Sequence, residues 1–231
     1  MNSFPQGFRA LVIGSSGAIG AAFTSLLAAD SACAGVDGIH RSSQPAIDFA
    51  DESSIAAAAA SLANRAPYHL IINAAGLLHT ARFMPEKRLA SLTYDQMFET
   101  FRVNAFGPAM VLRHFSGLLD SQRGVLVVLS AKVGSIEDNR LGGWYSYRAS
   151  KAALNMLLKT AAIEVKRTCP GAVLVALHPG TVDSGLSAPY RGAEIGRAPV
   201  QAAGDMLRVI DGLTSEDNGR FYAYDGTRLP W

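Results

Sequence analysis

Four short apolar runs recur along the chain, and each is continuous instead of alternating. They cover residues 10–13, 70–72, 125–129 and 173–177. A strand that is apolar on both faces belongs in a parallel sheet covered by helices on both sides, whereas a half-exposed antiparallel strand would alternate apolar and polar residues. The four runs therefore predict buried strands of a parallel sheet.

Helix-compatible segments separate these runs, at residues 19–29, 53–63, 93–119, 147–166 and 199–213, and two more strands are expected at 35–40 and 219–224. Regular alternation of strand and helix gives right-handed crossovers. We therefore predict a Rossmann-like, doubly wound parallel sheet with helices on both faces. A single α/β domain spanning residues 1–231 suits this length.

Composition limits the kinds of partner. Hydrophobic residues make up 49% of the chain, so a large core can be buried. The formal net charge of +2, without runs of like charge, argues against nucleic acid and membrane partners. The only cysteines, Cys33 and Cys169, lack metal-ligand spacing, so no metal is predicted. Without a signal-peptide pattern or an apolar run of membrane length, we expect a soluble, cytoplasmic protein.

A glycine-rich turn follows the first predicted strand and leads into a helix. Its glycines are spaced Gly-x-x-Gly-x-x-Gly, in the order Gly14, Ser15, Ser16, Gly17, Ala18, Ile19, Gly20. Glycines let backbone N–H groups approach a pyrophosphate, and the helix N-terminus places partial positive charge behind it. The turn therefore predicts a phosphate site, with an ordinary strand-to-helix turn as the alternative.

The end of the second predicted strand indicates which dinucleotide binds. A carboxylate there would bond the ribose hydroxyls of NAD, whereas an Arg would accept the extra phosphate of NADP. The strand ends in His40, followed by Arg41 and Ser42. A guanidinium makes charge-assisted bonds to a phosphate monoester, so NADP(H) is favoured. Asp37 keeps NAD(H) open, and Arg41 could also be an ordinary surface charge.

Tyr147 and Lys151 are four residues apart in a predicted helix and therefore share one face. A phenol titrates near pH 10 unaided, and a neighbouring ammonium stabilises the phenolate, which lets the Tyr exchange protons nearer neutral pH. The pair is a candidate general acid/base with its partner. Taken alone, the same spacing also occurs on ordinary helix surfaces.

Six features in one order resemble the short-chain dehydrogenases/reductases. They are the turn at 14–20, residues 73–76, residues 103–107, Ser130 at a strand end, the Tyr147/Lys151 pair and residues 179–181. The resemblance covers essentially the whole chain. Segments 138–145 and 219–231 are most similar to the branch that holds C-factor signalling proteins and small carbonyl reductases.

The resemblance implies a role for each matching position. Tyr147 would protonate the substrate oxygen during reduction, Lys151 would hold the nicotinamide ribose and lower the pKa of Tyr147, and Asn104 would order a water in a proton relay. Other matching positions would contact the cofactor: Asp48 and Phe49 the adenine edge, Asn73, Ala74, Ala75 and Gly76 the adenosine ribose, and Pro179, Gly180, Thr181 and Val182 the nicotinamide carboxamide.

The sequence departs from the family at the catalytic serine. The family usually carries Ser-Ser at the end of the fourth strand, and the second hydroxyl faces the substrate; here the pair is Ser130-Ala131. Side chains alternate along a strand, so Ser130 is expected to point away. Either a twisted strand end brings Ser130 in, or Ser135 reaches in from the loop, or no serine serves. Ser135 is the preferred candidate.

Two functions fit this set of residues. The first is an oxidoreductase for a carbonyl or alcohol substrate, and the second is a cofactor-binding sensor or signalling protein of C-factor type with little turnover, a choice that fold alone does not decide. The segment 185–199 is a candidate substrate lid. Trp144, Tyr145, Leu186 and Tyr190 are candidate walls of an apolar pocket. The resemblance also allows a homodimer through the helices that carry Asn104 and Tyr147, or a monomer.

Overall fold

The computed structural model describes residues 1–231 and contains one six-stranded sheet in which all strands are parallel. Its order is β2-β1-β3-β4-β5-β6. The strands are β1 (Phe8–Ile13), β2 (Cys33–Ile39), β3 (Leu70–Asn73), β4 (Gly124–Leu129), β5 (Ala172–His178) and β6 (Phe221–Ala223). The predicted doubly wound sheet is confirmed, and β3 and β4 are buried along their whole length, as their apolar runs require.

Helices cover both faces of the sheet and divide the interior into two cores. The helices are α1 (Ala18–Ala28), α2 (Glu52–Leu62), α3 (Tyr94–Phe101), α4 (Gly107–Phe115), α5 (Tyr145–Thr168), α6 (Gly192–Ile195) and α7 (Pro199–Gly212). One core packs α2, α4 and α5 against the sheet, and the other packs α1 and α7 against the opposite face. No helix combines the length and the apolar character needed to span a bilayer.

Strand β2 lies on one side of β1, and β3 to β6 follow in order on the other side. The strand order therefore reverses between β1 and β3. In open α/β sheets the crevice for a ligand lies at this point, outside the carboxyl ends of the strands. The turn at 14–20 follows β1, and residues 74–76 follow β3. The topology therefore brings two of the predicted cofactor segments to the same crevice.

The long helix predicted at 93–119 is interrupted. A π-helical turn, Arg102–Phe106, separates α3 from α4, and a short 3-10 turn, Ser116–Leu118, follows α4. Pro108 explains the break, because it has no N–H to donate to the carbonyl of Asn104 at α-helical spacing. π-helical turns are often found at functional sites. This one contains Asn104.

Smaller differences concern element ends. Strand β2 ends at Ile39, so His40 and Arg41 lie beyond the sheet. The connection 185–199, expected to be irregular, contains a 3-10 turn, Ala188–Tyr190, and the short helix α6. Left-handed backbone at Arg191 joins these two pieces. The segment 185–199 is thus partly helical instead of irregular throughout.

Candidate active site

The glycine-rich turn has no space for a Cβ at two of its three glycines. Gly14 has a φ of 83°, and a Cβ there would lie 2.9 Å from the backbone nitrogen of Ala75. A Cβ at Gly20 would lie 2.2 Å from the carbonyl oxygen of Gly14. Helix α1 begins directly after Gly17, which makes no side-chain cap. Because no side chain caps the first turn of α1, its N–H groups are available to an anion.

A cavity of about 750 Å³ extends from this turn to Tyr147. Its walls are the start of α1, the carboxyl ends of β3, β4 and β5, the start of α5 and the 185–199 segment. Of the residues expected to bind the cofactor, those in its walls are Gly17, Ile19, Gly20, Ala74, Ala75, Gly76, Tyr147, Lys151, Pro179, Gly180, Thr181 and Val182. This volume and this backbone-lined end could hold an extended dinucleotide.

Tyr147 and Lys151 stand at the other end of the cavity, on adjacent turns of α5. Both are nearly buried, and Lys151 Nζ lies 6.0 Å from the centre of the Tyr147 ring. The ammonium donates a hydrogen bond to the carbonyl oxygen of Leu129, 2.9 Å away. The carboxyl end of β4 therefore fixes the position of Lys151 in the cavity wall.

The protonation of this pair follows from burial. Burial raises the pKa of the Tyr147 phenol and lowers the pKa of Lys151 to about 8, because a low-dielectric site disfavours the charged form of each. The expected lowering of the Tyr147 pKa is not found in this structure. Burial is the cause of the raised pKa of Tyr147, and the hydrogen bond of Lys151 goes to Leu129. Tyr147 consequently keeps its proton at neutral pH.

Asn104 lies in the π-helical turn and is fully buried. Its Oδ1 accepts from the N–H of Leu77 at 2.8 Å, and its Nδ2 donates to the carbonyl of Leu77 at 2.7 Å and to Ser150 Oγ at 3.2 Å. A Cβ at Gly76 would lie 3.7 Å from Asn104 Oδ1 and 3.8 Å from Lys151 Nζ. Asn104 thus orients the loop that follows β3, beside Lys151.

Asn73 ends β3 and is also fully buried. Its Oδ1 accepts from the N–H of Ala75 at 3.1 Å, whereas its Nδ2 has no partner. Buried donors are seldom left unpaired in proteins, so an unpaired one beside a cavity is available to a ligand. Asn73 shapes the bend of residues 74–76 and has a donor to offer there.

Ser130 lines the cavity and Ser135 does not, and the hydroxyl of each serine is hydrogen-bonded within the protein. Ser130 Oγ donates to Asn155 Oδ1 at 2.7 Å, in agreement with the expected alternation along β4. Ser135 is outside the cavity walls, because its hydroxyl donates to the carbonyl of Trp231 at 3.1 Å and accepts from the N–H of Asp138. The preference for Ser135 is therefore corrected. Ala131 lies beside Tyr147 and has no hydroxyl.

The residues at and near the end of β2 bear on the choice between NAD(H) and NADP(H). Asp37 is engaged elsewhere: it pairs with Arg65 and accepts from the Tyr68 hydroxyl at 2.6 Å. Arg41 is exposed and forms no ion pair, and Ser42 is exposed beside it. The exposed side chains of Arg41 and Ser42 are therefore available to a ligand at this edge of the sheet, whereas that of Asp37 is not.

The residues expected at the adenine edge lie outside the cavity walls. Asp48 Oδ1 accepts from the N–H of Ala50, and its own N–H donates to Ser54 Oγ. Phe49 packs on Gly107, where a Cβ would lie 2.3 Å from the ring. Gly14, Ser15 and Ser16 belong to the glycine-rich turn but are not among the residues that line the cavity. These residues shape the loops around the nucleotide end.

An apolar chamber surrounds Tyr147. Its members, in contact with one another, are Leu78, Ala131, Val133, Trp144, Tyr147, Leu186 and Tyr190. The ring centres of Trp144 and Tyr190 are 4.9 Å apart, and those of Trp144 and Tyr147 are 6.1 Å apart. Trp144 and Tyr190 were expected in this wall and lie there, as does Leu186, whereas Tyr145 does not.

No local pattern in the sequence marks Leu78 or Val133 as part of the site. Leu78 and Val133 reach the chamber through loops that follow β3 and β4. His178 ends β5 in the cavity wall, and burial lowers its pKa to about 4, so the imidazole is neutral at pH 7. Leu78 and Val133 are therefore identified as site residues only by the tertiary arrangement of the loops.

Known proteins resemble this chain in sequence and in structure. The family model of the short chain dehydrogenases matches residues 40–194. A 1-hydroxy-2-glutathionyl-2-methyl-3-butene dehydrogenase of a Rhodococcus species is 34% identical over 203 residues, covering 88% of this chain and 84% of that protein. The C-signal protein of Myxococcus xanthus is 41% identical over 147 residues, covering 62% and 83%.

Two solved structures extend the likeness to the fold. The carbonyl reductase Sniffer of D. melanogaster superposes with a TM-score of 0.84 at 20% identity, over 98% of this chain and all of that one. An NADPH-bound carbonyl reductase from chicken fatty liver gives a TM-score of 0.83 at 26% identity, over 99% and 96%. With its motifs, sheet order and matched residues, this chain belongs to the short chain dehydrogenase family.

Proposed function

We propose that this protein is an NADP(H)-dependent oxidoreductase that transfers hydride between the nicotinamide and a carbonyl or alcohol substrate, with Tyr147 as the acid/base. The observation that carries the proposal is one continuous cavity. It begins at a backbone-lined turn suited to a pyrophosphate and ends at Tyr147 and Lys151. A dinucleotide in this cavity would have its reactive ring beside the phenol.

The protonation of Tyr147 favours reduction of a carbonyl. When bound, NADPH supplies the hydride to the carbonyl carbon. The oxygen then needs a proton, and the Tyr147 hydroxyl, which lies in the cavity wall and is protonated at neutral pH, is placed to give it. Lys151, held by Leu129, is placed to bond the ribose hydroxyls of the cofactor and so to align it. In the reverse direction Tyr147 would act as the base and accept the proton of the alcohol.

Cofactor choice rests on the edge of β2. Arg41 is exposed and free of ion pairs, whereas the one carboxylate of β2 is engaged by Arg65 and Tyr68. The bound cofactor of the chicken carbonyl reductase, NADPH, agrees with this preference. We therefore assign the 2′-phosphate to Arg41 and Ser42, with NADH as a weaker ligand.

Polarisation of the substrate oxygen is assigned to Tyr147 without a serine. Ser130 is bonded to Asn155, Ser135 to Trp231, and Ala131 has no donor. A missing donor to a developing oxyanion costs roughly a hundredfold or more in turnover. We accordingly expect slow reduction of unactivated ketones and faster reduction of aldehydes or quinones. An apolar substituent of the substrate would fill the chamber around Trp144.

Calorimetric titration with NADPH and NADH, followed by a carbonyl panel in the same sample, tests the proposal. We expect NADPH to bind more tightly than NADH and its absorbance to fall only when a carbonyl is added. Binding without oxidation over a broad panel of aldehydes, ketones and quinones would contradict it. That result would support the second candidate, a cofactor-binding signalling protein, which the similarity to C-signal and the alanine at position 131 favour.

Assembly and location are also proposals. Large apolar side chains are exposed on the helices that carry Asn104 and Tyr147; they include Phe98, Phe106, Met156 and Ile163. Phe98 and Phe106 contact each other with ring centres 6.5 Å apart. Such faces are typical of oligomer contacts, so we propose a homodimer, to be tested by light scattering. A cytoplasmic location stays a prediction from the sequence.

A further inference from the structure

Glu86 is a buried carboxylate outside the catalytic pair and outside the cavity walls. Only 3% of its surface is exposed, and no Lys, Arg or His lies within ion-pair distance. Burying a carboxylate costs free energy unless hydrogen-bond donors satisfy it. The groups that donate to Glu86 therefore indicate what its burial stabilises. All of its side-chain donors come from one place, the start of α5, the helix that carries Tyr147 and Lys151.

Three hydrogen bonds join Glu86 to this helix start. Its Oε2 accepts from the N–H of Ser146 at 3.1 Å, and its Oε1 accepts from the Ser146 hydroxyl. Its backbone carbonyl accepts from the N–H of Trp144 at 2.5 Å. No residue of α5 caps its own N-terminus, so Glu86 takes the place of a cap from a distant segment. A carboxylate at that end also interacts favourably with the helix dipole.

The segment that carries Glu86 is itself anchored. Gln96 of α3 is buried and donates from Nε2 to the carbonyl of Met84 at 2.9 Å. Glu86 thus connects a fixed point on α3 to the first turn of α5. Because both ends are tied, a shift of the first turn of α5 requires that these bonds break.

The residues held by Glu86 are those that shape the reaction site. Trp144 has left-handed backbone, with φ 52°, and such conformations in non-glycine residues persist only where surrounding contacts hold them. Its ring packs on Tyr147 and Tyr190 in the apolar chamber. Ser146 immediately precedes Tyr147. A small rotation of this first turn would move both the phenol and one wall of the chamber.

We propose that Glu86 is a positioning residue, which clamps the first turn of α5 so that the Tyr147 hydroxyl and the Trp144 wall face the substrate. This inference rests on the proposed role of Tyr147. It adds a residue outside the family's motifs, and it assigns a function to a buried carboxyl group that cofactor binding and proton transfer do not use.

Paired substitutions test the clamp. Glu86→Gln keeps an oxygen to accept from Ser146 N–H and an amide to donate to Ser146 Oγ, so kcat should stay within about threefold of the unsubstituted chain. Glu86→Ala removes both side-chain bonds, and kcat should fall on the order of a hundredfold, since a misplacement near 1 Å has that effect. NADPH affinity should change little in either variant, because the phosphate turn does not touch Glu86.

A spectroscopic readout separates the clamp from the reaction. The chain has two tryptophans, so Trp231→Phe leaves Trp144 as the only one. In that background Glu86→Ala should shift the Trp144 emission to longer wavelength, as the ring leaves the chamber, while Glu86→Gln and the exposed control Lys87→Ala should not. If the unsubstituted chain reduces no carbonyl, the proposed function fails, and the emission still reports on the clamp.

Two results would overturn the inference. One is Glu86→Ala with the kcat and Trp144 emission of the unsubstituted chain, and the other is an equal loss of kcat in Glu86→Gln and Glu86→Ala. If Glu86→Ala does not fold, Ser146→Ala takes its place, because it removes only the hydroxyl donor. Its kcat should fall below that of Glu86→Gln with unchanged NADPH affinity, and an unchanged kcat would contradict the clamp.

Discussion

The two ends of the cavity are lined by different parts of the chain, backbone at one end and side chains at the other. At the nucleotide end the wall is formed largely by backbone of the glycine-rich turn and of residues 74–76, and Gly20 and the underlying Gly14 leave no space for a Cβ. At the substrate end the walls are side chains from four separate segments, among them Leu78, Trp144 and Tyr190. A backbone wall is fixed by local conformation, whereas a side-chain wall depends on how distant loops pack. The first end tolerates little substitution, and the second can be altered to change substrate and rate.

The largest effect on this comparison should come from Gly20→Ala. Ala is favoured over Gly within a helix by about 1 kcal/mol, so intrinsic propensity alone would stabilise α1. The added Cβ would instead lie 2.2 Å from Gly14 oxygen and displace the turn. We expect NADPH affinity to fall by roughly a hundredfold or more in calorimetry. Gly204→Ala in α7, where the nearest atom is 3.9 Å from the Cβ, is the matched control and should bind normally.

Arg41→Ala tests the side-chain part of the nucleotide end. A hydrogen bond to a charged group contributes about 1.5–3 kcal/mol, so NADPH affinity should fall roughly tenfold to a hundredfold. NADH has no 2′-phosphate and serves as the internal control, with an affinity close to that of the unsubstituted chain. Equal losses for the two cofactors would remove Arg41 from phosphate binding.

Ala131→Ser tests the substrate end, where the chain departs from its family. Position 131 has extended backbone and lies in the chamber with Tyr147, so a serine hydroxyl there could reach the substrate oxygen. We expect kcat for a ketone to rise about tenfold, which is less than the loss measured when a preorganised donor is removed. Ser135→Ala is the control and should leave kcat unchanged. A loss of kcat in that control would restore Ser135 as the donor.

The smallest effect concerns pH. The pKa of Lys151 is lowered to about 8 by burial, so its charge is lost as pH rises through that value. The raised pKa of Tyr147 keeps the phenol protonated over the same range. In the direction of reduction, kcat/KM for NADPH should be level at pH 6–7, fall to about half near pH 8 and decline further above it, since it reports groups of the free enzyme. A level profile to pH 10 would contradict this assignment.

The same contrast explains how much could be predicted from sequence. Continuous apolar runs predicted the parallel sheet, because burial on both faces leaves a direct mark on composition. The turn at 14–20 was visible because glycines mark backbone that approaches closely. Ser135, by contrast, was misplaced, since its partner Trp231 is 96 residues away and no local pattern reports such a contact. The role of Glu86 also depends on a contact between distant residues, which no local pattern reports. Pro108 is the one local residue that indicates the interruption of the helix at Asn104.

The most direct test of the central claim is the rate of NADPH oxidation by Tyr147→Phe, measured beside the unsubstituted chain with the best carbonyl from the panel. Phe keeps the ring packed against Trp144 and removes only the hydroxyl. We expect turnover to fall by roughly a thousandfold or more while NADPH affinity is retained, because the acid that protonates the product oxygen is lost. Equal turnover in the two proteins, with equal NADPH affinity, would contradict the role of Tyr147.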